Sequence, residues 1–339
     1  MPSYPENADI EQWIAKESPE PVLEPELPII DPHHHLWDMR KAPKRPESFR
    51  QEVYLCEEVS NDINESGHNV VQTVFAQCGA FYRADGPEEM RCVGETDFVH
   101  GVAAMSRSGL YGDVRLSTGI FSTVDLRPGA AAEPVVEAQL AASANFRGIR
   151  SAFPSDLNDQ FLEGFALLDK YNLSYDNWSP DYARLPTLAA LANKFPEVTI
   201  IVNHLGGQID PTAGEDDIAE WRRCIDAVAA CPNAVIKTGG AQMRIGPWEP
   251  AYHMHQADAP LGSEAYCELL YPFYSYAMGA FGPNRCMFES NFPVDKECIS
   301  YRTLWNLFKR IAAKAGLSES EKTAMFSGTA ARAYQLQAP

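Results

Sequence analysis

The feature that most constrains the fold of this chain is a repeated alternation of short apolar, β-branched runs with longer segments of helical spacing. Eight runs are predicted to be strands: 27–31, 70–77, 116–124, 146–152, 173–177, 198–203, 234–238 and 285–290. Strands that alternate with helices are parallel and are joined by right-handed crossovers. Because no GxGxxG motif follows the first strand, the eight units predict a closed (β/α)8 TIM barrel, with an open doubly wound sheet as the alternative.

The segments between most of these strands have helical spacing, and two further helices close the chain. The predicted helices are 88–110, 132–144, 158–171, 182–195, 215–230, 263–281, 301–315 and 318–333. The last helix opens with Ser318-Glu319-Ser320-Glu321, a capping-box pattern. Residues 1–28 are rich in proline and acid and are predicted to form a surface extension with one helical turn near 10–15, so a single barrel domain is expected at 29–339.

Charge and cysteine content narrow the range of partners. The formal net charge of −18 disfavours nucleic acid and anionic membranes, which attract basic patches, whereas a small anionic substrate needs only one or two local arginines. The eight cysteines show no CxxC spacing, and the first residues lack the basic and apolar regions of a signal peptide. We therefore expect a cytoplasmic protein with reduced thiols that acts on a small molecule. A homo-oligomer stays open, because the extension could pack on a second subunit.

The first predicted strand leads into the segment IIDPHHHLWD at 29–38, which holds three of the chain's eight histidines. Side chains alternate along a strand, so His33 and His35 point to one side and His34 to the other. Two imidazoles at a strand end are suited to ligate a metal or to polarise a carbonyl group. A surface histidine run is the alternative, and it is disfavoured because the segment directly follows a hydrophobic strand.

Catalytic groups of a (β/α)8 barrel lie at the carboxyl ends of its strands. The other predicted strand ends supply these candidates: Arg147 and Arg150 on the fourth, Tyr175 and Asp176 on the fifth, His204 after the sixth, Lys237 on the seventh, and Glu289, Asn291 and Asp295 on or after the eighth. An arginine at a strand end suits the two-pronged binding of a substrate carboxylate, and an ordinary ion pair is its alternative role. Alternation allows only one of Tyr175 and Asp176 to face the barrel interior. A second HxH, at His253 and His255, falls in a predicted loop and is a weaker candidate.

Four motifs around these residues occur in the same order as in the amidohydrolase superfamily. The chain resembles in particular the lactonase-like branch, with its fuconolactonase-like and pyrone-dicarboxylate-lactonase-like enzymes. The motifs are DPHHHLWD (31–38), FRGIR (146–150), NHLG (203–206) and MFESNFPVD (287–295). The resemblance spans about 27–335 and implies a barrel that hydrolyses an ester, lactone or amide bond. It further implies that His33 and His35 bind the substrate carbonyl or a divalent metal such as zinc or manganese. His204 would then be a polarising or acid/base group, and Arg150 would bind a substrate carboxylate.

Two positions depart from the pattern of this family. Many metal-dependent members have a histidine at the end of the fifth strand, where this chain has none, and the eighth strand usually ends in an aspartate, where this chain has Asn291. An amide cannot act as a base at neutral pH and is a poor ligand for zinc. Glu289, which shares a face with Asn291, or Asp295 in the following loop is then expected to take the proton of the attacking water.

The sequence thus predicts a hydrolase that cleaves a lactone or a related ester, or an amide, of a small carboxylate-bearing substrate. His33, His35 and His204 would stabilise the oxyanion, with or without a divalent metal. The substrate-binding candidates are Arg147, Arg150, Tyr175, Asp176 and Lys237. A metal-dependent decarboxylase of the same superfamily and a non-catalytic binding descendant are the alternatives.

Overall fold

The computed structural model describes residues 7–40, 51–151, 153–154, 156–207, 213–242 and 258–339. Its centre is an eight-stranded sheet in which all paired neighbours are parallel. The chain order of the strands is β1 (Ile29–His34), β2 (Trp37–Asp38), β3 (Val53–Tyr54), β4 (Val70–Ala76), β5 (Arg115–Ser122), β6 (Phe146–Ile149), β7 (Ser174–Asn177), β8 (Ile200–Val202), β9 (Ala234–Gly239) and β10 (Cys286–Glu289). All except β2 and β3 belong to the sheet, and each matches one of the eight predicted strands. The predicted (β/α)8 TIM barrel is confirmed.

The barrel closes between its last and first strands through the residues that follow them. β1 and the segment after β10 share an isolated parallel bridge between His34 and Phe292. The backbone N–H of Asn291 donates to the carbonyl of His33 at 2.9 Å, and the N–H of His35 donates to the carbonyl of Phe292 at 2.7 Å. Closure therefore brings the HxH segment and the Asn291 segment together at the carboxyl end of the barrel.

Helices surround this sheet at nearly the predicted positions. They are α1 (Asn7–Ile14), α2 (Cys56–Ser66), α3 (Val93–Ser106), α4 (Glu133–Ala142), α5 (Asp159–Lys170), α6 (Leu185–Lys194), α7 (Glu215–Ala229), α8 (Ser263–Phe281), α9 (Tyr301–Lys314), α10 (Glu319–Thr323) and α11 (Thr329–Ala333). The predicted capping box at the start of α10 is present, since the Ser318 Oγ accepts from the N–H of Glu321 and the Glu321 carboxylate accepts from the N–H of Ser318 at 2.8 Å. The predicted final helix is divided, because a π-helical turn at Ala324–Gly328 separates α10 from α11.

The sequence analysis missed α2 and the antiparallel pair formed by β2 and β3. The buried apolar residues of α2 are Cys56, Val59 and Ile63, which have the i, i+3, i+7 spacing of a helix, so the helical signal is present in the sequence but rests on only three residues. β2 and β3 contain two residues each, so they are too short for an alternation of apolar and polar residues to be recognised.

The N-terminal extension is fastened to the barrel by two glutamates at helix starts. The Glu17 carboxylate accepts from the backbone N–H of Ser300, the N-cap of α9, at 2.7 Å. The Glu20 carboxylate accepts from the backbone N–H of Ser263, the first residue of α8, at 2.8 Å. Negative charge at a helix N-terminus is stabilising because the exposed N–H groups and the helix dipole both favour it.

All eight cysteines lie in the described part of the chain. None of them forms a disulfide, and all are buried except Cys78, which is partly exposed. The reduced state of the thiols stays a prediction. Among the described residues, no helix combines the length and the apolar character that a membrane-spanning helix needs.

Candidate active site

Polar side chains converge where the barrel strands end. His33 and His35 come from the end of β1, His204 follows β8, Glu289 ends β10, and Asn291 lies two residues beyond it. All five are buried, with between 0% and 5% of their surface exposed. The structure therefore brings together the two predicted metal-binding histidines with three of the four predicted catalytic residues, and the fourth, Asp295, lies directly behind Asn291.

Glu289 lies behind His204. The His204 Nδ1 is 2.7 Å from the Glu289 Oε1, and the backbone N–H of His204 also donates to that oxygen at 3.3 Å. A carboxylate can only accept here, so Nδ1 carries the proton and Nε2 keeps the lone pair. Burial lowers the pKa of His204, and the Glu289 carboxylate counteracts part of this effect. The pair is therefore a neutral imidazole with a basic Nε2, held in its tautomer by a buried carboxylate.

Two glycines at the end of β9 make room for this pair. A Cβ on Gly239 would lie 2.4 Å from the Cγ of Glu289, and a Cβ on Gly240 would lie 2.2 Å from the Nδ1 of His204. Gly240 also has a φ of +67°, a conformation that residues with a side chain rarely adopt. The backbone thus approaches both partners so closely that any larger residue would displace the imidazole.

His35 and Asn291 present two acceptor atoms to each other. The His35 Nδ1 donates to the carbonyl of Ala76 at 2.9 Å, so its Nε2 carries the lone pair. The Asn291 Nδ2 donates to the Asp295 carboxylate at 2.7 Å, which turns the Asn291 Oδ1 toward His35. That oxygen is 3.3 Å from the His35 Nε2, and neither atom can donate to the other. A proton donor or a cation is therefore needed beside this pair.

His33 is placed to meet that need in one of two ways. Its Nε2 is 3.2 Å from the His35 Nε2, so it can donate a proton to that lone pair or, in the other tautomer, share a metal ion with it. Its Nδ1 is 2.9 Å from the Glu289 Oε2 and 3.2 Å from the Asn203 Oδ1. Burial and the neighbouring Lys237 cation hold the pKa of His33 well below its usual range, so the ring is neutral.

The donor set fits a divalent metal. Within the described ranges, His33, His204 and Glu289 each offer a ligand atom, and these atoms lie within 4.8 Å of one another. Imidazole nitrogens and a carboxylate oxygen are ligands that zinc and manganese accept. The lone pairs of His35 and Asn291 adjoin this group through the His33 Nε2, which is 3.2 Å from the His35 Nε2.

A buried ion pair lies beneath the histidines. The Lys237 Nζ on β9 is 3.0 Å from the Asp176 Oδ1 on β7, which also accepts from the Tyr334 hydroxyl at 2.7 Å. Burial lowers the pKa of Lys237, and the Asp176 carboxylate counteracts this by favouring the ammonium form. The same ammonium is 3.2 Å from the His33 Nδ1. Lys237 and Asp176 thus face the interior and support the site from below.

The remaining substrate-binding candidates differ in position. Arg150 follows β6 at the carboxyl end of the barrel, is partly exposed, and donates from Nη1 to the carbonyl of Gln77 at 2.9 Å. Arg147 donates to the carbonyls of Ala144 and Phe146 at the other end of β6. It therefore lies away from the site.

Tyr175 also lies away from the site. Its ring packs against Phe165 of α5, with a centroid distance of 5.1 Å, in the layer between sheet and helices. Interior and exterior positions alternate, so the inward direction of Asp176 requires the outward direction of Tyr175. His253 and His255 lie outside the described residues.

Two tryptophans that the sequence analysis did not assign border the histidines. Trp37 stacks on His35, with a centroid distance of 5.8 Å and an interplanar angle of 25°. Trp178 meets His204 edge-on, with a centroid distance of 4.8 Å. Both belong to one small apolar cluster with Val294. Trp37 lies two residues after the HxH motif, and this proximity was the available signal.

The comparisons with known proteins agree with this geometry. The profile of the family described as "Amidohydrolase" matches residues 30–336. An L-fucono-1,5-lactonase from Burkholderia multivorans is 30% identical over 227 residues, which cover 63% of this chain and 70% of the lactonase.

Solved structures share the fold at lower identity. An amidohydrolase from Burkholderia multivorans with bound zinc has a TM-score of 0.70 and 23% identity, covering 91% of this chain and 99% of that one. The 5-carboxyvanillate decarboxylase LigW from Sphingomonas paucimobilis has a TM-score of 0.58 and 13% identity, covering 92% of this chain and all (100%) of that one. These similarities place a hydrolase and a decarboxylase on the same scaffold.

Proposed function

We propose that this chain, which belongs to the amidohydrolase family and is an enzyme of that superfamily, hydrolyses a lactone or related carboxylic ester of a small substrate that carries a carboxylate. The observation that carries the proposal is the His204–Glu289 pair. A neutral imidazole with its lone pair on Nε2 and a carboxylate on Nδ1 is suited to take a proton from water and to pass it to the leaving oxygen. The 30% identity to a lactonase over 227 residues supports the class of bond.

The roles of the other residues follow from their positions. His33 and His35 would polarise the carbonyl oxygen as negative charge develops on it. Arg150, a partly exposed residue at the same barrel end, would bind the substrate carboxylate. We propose Glu289 and Asp295 as positioning residues, because the first accepts from His204 and the second from Asn291. In this proposal the general base is His204, instead of Glu289 or Asp295.

A divalent metal would be held by His33 together with His204 and Glu289, the group whose ligand atoms lie within 4.8 Å of one another. When bound, such an ion supplies a Lewis acid for the carbonyl oxygen. Without the ion, the residues assigned above bind and orient the substrate and move the proton; an ion held through the His204 lone pair would leave that imidazole unable to take up a proton.

The test is a panel of small lactones and esters, each with and without a carboxylate, assayed with the wild-type chain. We expect turnover of at least one lactone or ester, with higher kcat/KM for the carboxylated member of each pair. The same panel includes aromatic carboxylic acids, for which release of carbon dioxide without ester cleavage would favour the decarboxylase instead. Binding without turnover of any compound would contradict the proposal and favour a non-catalytic descendant.

A further inference from the structure

A buried carboxylate that the proposed function does not use lies beside the turn that follows β4. Glu95, in the first turn of α3, is fully buried. Its Oε1 accepts from three successive backbone N–H groups, those of Cys78 at 3.1 Å, Gly79 at 2.8 Å and Ala80 at 2.9 Å. Its Oε2 accepts from the Ser122 hydroxyl at 3.1 Å. Burial raises the pKa of Glu95 to about 6, and these four hydrogen bonds oppose the rise, so the group is ionised at neutral pH.

The turn at residues 78–80 is held in a strained shape against α3. Three successive N–H groups that converge on one anion form a backbone nest. Phe81, the next residue, has a φ of +57°, which costs free energy in a residue with a side chain. Its ring stacks on Phe98 of α3 with a centroid distance of 4.0 Å, and its carbonyl oxygen would lie 2.6 Å from a Cβ on Gly94. The turn therefore depends on its contacts with α3, to which the Glu95 carboxylate contributes three hydrogen bonds.

A single peptide group connects Glu95 with Arg150. The Cys78 N–H donates to the Glu95 carboxylate. The carbonyl of the same peptide group, that of Gln77, accepts from the Arg150 Nη1 at 2.9 Å. A trans peptide group is planar, with its N–H and C=O on opposite sides, so the hydrogen bond to Glu95 fixes the direction of the carbonyl. An anion at the N–H also polarises the group and makes the carbonyl a stronger acceptor.

The orientation of Arg150 depends on this carbonyl. The backbone N–H of Arg150 donates to the carbonyl of Ser122 at 2.8 Å, which fixes the start of the side chain. The Gln77 carbonyl holds one N–H at its far end. A guanidinium is planar and its donors form a rigid fork, so holding one N–H directs the plane that the others share. Two-pronged binding of a carboxylate needs that plane in one orientation.

We propose that Glu95 is a positioning residue that orients Arg150 through the peptide group between Gln77 and Cys78, and thereby sets the preference of this enzyme for a carboxylated substrate. The inference rests on the proposed function, in which Arg150 binds the substrate carboxylate. Glu95 itself contacts backbone N–H groups and a hydroxyl, so its loss affects substrate binding and leaves the proton transfer at His204 intact.

The first experiment measures the ratio of kcat/KM between the carboxylated and the uncarboxylated member of one pair from the lactone and ester panel. In Glu95→Ala three N–H groups lose their acceptor, and we expect the ratio to fall by about tenfold or more, through a higher KM of the carboxylated member. The kcat of the uncarboxylated member should stay within about threefold of the wild-type value. In Glu95→Gln the amide oxygen still accepts, so a fall of about threefold is expected. This variant decides the result if Glu95→Ala does not fold.

The matched control is Glu17→Ala, which also removes a carboxylate from a helix start. Glu17 accepts from the N–H and hydroxyl of Ser300 and from the hydroxyl of Thr303, and its loss should leave the ratio unchanged even if stability falls. In an Arg150→Ala background the ratio should be about one, and Glu95→Ala should not change it further. A wild-type ratio in the folded Glu95 variants, an equal fall in Glu17→Ala or a further fall in the Arg150→Ala background would overturn the inference.

Two measurements separate this inference from the proposed function. Amide hydrogen exchange of peptides that cover residues 77–82 needs no substrate, and it should be faster in Glu95→Ala and unchanged in Glu17→Ala. If no compound of the panel is turned over, the proposed function fails, and calorimetric titration with benzoate and benzamide replaces the ratio. The wild type should then prefer benzoate, and Glu95→Ala should lose that preference. Wild-type exchange rates in Glu95→Ala, or no preference for benzoate in the wild type, would overturn the inference.

Discussion

The two buried carboxylates at the mouth of the barrel are arranged alike but support different chemistry. Glu289 accepts from the imidazole of His204 at 2.7 Å, and Asp295 accepts from the amide of Asn291 at 2.7 Å. An imidazole backed by a carboxylate can take up a proton, whereas an amide cannot. In the proposed mechanism the Glu289 pair is therefore the base, and the Asp295 pair is an oriented acceptor. A carboxylate's role here depends on the side chain in front of it.

The strongest test of this comparison is His204→Ala. Removing the imidazole that holds the lone pair should lower kcat by about 10³-fold, in the range typical of a lost general base. The measurement is kcat on the best substrate of the panel, with circular dichroism as the control for folding. Turnover at the wild-type level would remove His204 from the mechanism.

Matched carboxylate-to-amide substitutions separate the two pairs. In Glu289→Gln the amide oxygen still accepts from Nδ1, but the negative charge that stabilises a protonated His204 is lost, so kcat should fall by about 10- to 100-fold. In Asp295→Asn the Asn291 amide exchanges a charge-assisted hydrogen bond for a neutral one, a loss of about 1 kcal/mol or roughly fivefold in kcat. Equal losses in the two variants would show that the pairs do not differ as we describe.

Gly240→Ala tests the space that the His204–Glu289 pair requires. Its Cβ would lie 2.2 Å from the His204 Nδ1 at a φ of +67°, so the imidazole must move and the backbone is strained. We expect a loss of about 1–3 kcal/mol in the free energy of unfolding, together with a lower kcat. Denaturant unfolding and steady-state kinetics measure both quantities.

The control for that variant is Gly279→Ala in α8. A Cβ there has no neighbour within 4 Å, and alanine is the better helix former. Its stability should stay the same or rise slightly, with an unchanged kcat. A similar loss in both variants would show that Gly240 is not specifically required by His204.

The smallest effect on turnover is expected for His68→Gln, far from both pairs. His68 accepts from Lys309 at Nδ1, and burial together with this cation lowers its pKa from 6.5 to about 4. The unfolded chain therefore binds more protons between these values, so stability is complete above pH 6.5 and falls as the pH decreases toward 4. The shift corresponds to about 3 kcal/mol.

The measurement is the free energy of unfolding of wild type and His68→Gln between pH 4 and 7, because the difference between the two profiles isolates His68. We expect that difference to change by about 3 kcal/mol over this interval. His100→Gln, on the half-buried face of α3, is the control. Parallel profiles for wild type and His68→Gln would contradict the assignment.

The strand ends show how far sequence reasoning reaches. Periodicity and motif spacing locate His33, His35, His204 and Glu289, because each stands at the end of an apolar run and parallel strands end at one face of the sheet. They do not show that Glu289 lies behind His204, since this depends on the relative height of β8 and β10 in the barrel. The sequence was enough to select these four residues as candidates. It was not enough to predict which of them lies nearer to solvent and which lies deeper in the barrel.

Arg147 and Tyr175 illustrate the same limit. Alternation states that Tyr175 and Asp176 face opposite sides, but only the packing of Tyr175 against Phe165 decides which one faces outward. Arg147 was predicted as a strand-end residue, and the structure places its guanidinium against backbone carbonyls at the opposite end of β6. Alternation shows which residues of a strand share a side, but it does not show which side faces the barrel interior.

The sequence by itself determined the barrel, the positions of its strands and most helices, and the presence of imidazoles at the strand ends, because these depend on local periodicity along one chain. Only the tertiary structure decided the contacts of Asn291 with Asp295, of His204 with Gly240, and of Lys237 with His33. These pairs come from different elements, and their distances depend on barrel closure, strand register and side-chain packing. The contacts of His204 with Glu289 and of His35 with the Ala76 carbonyl likewise come from packing, and they set which nitrogen of each ring carries its proton.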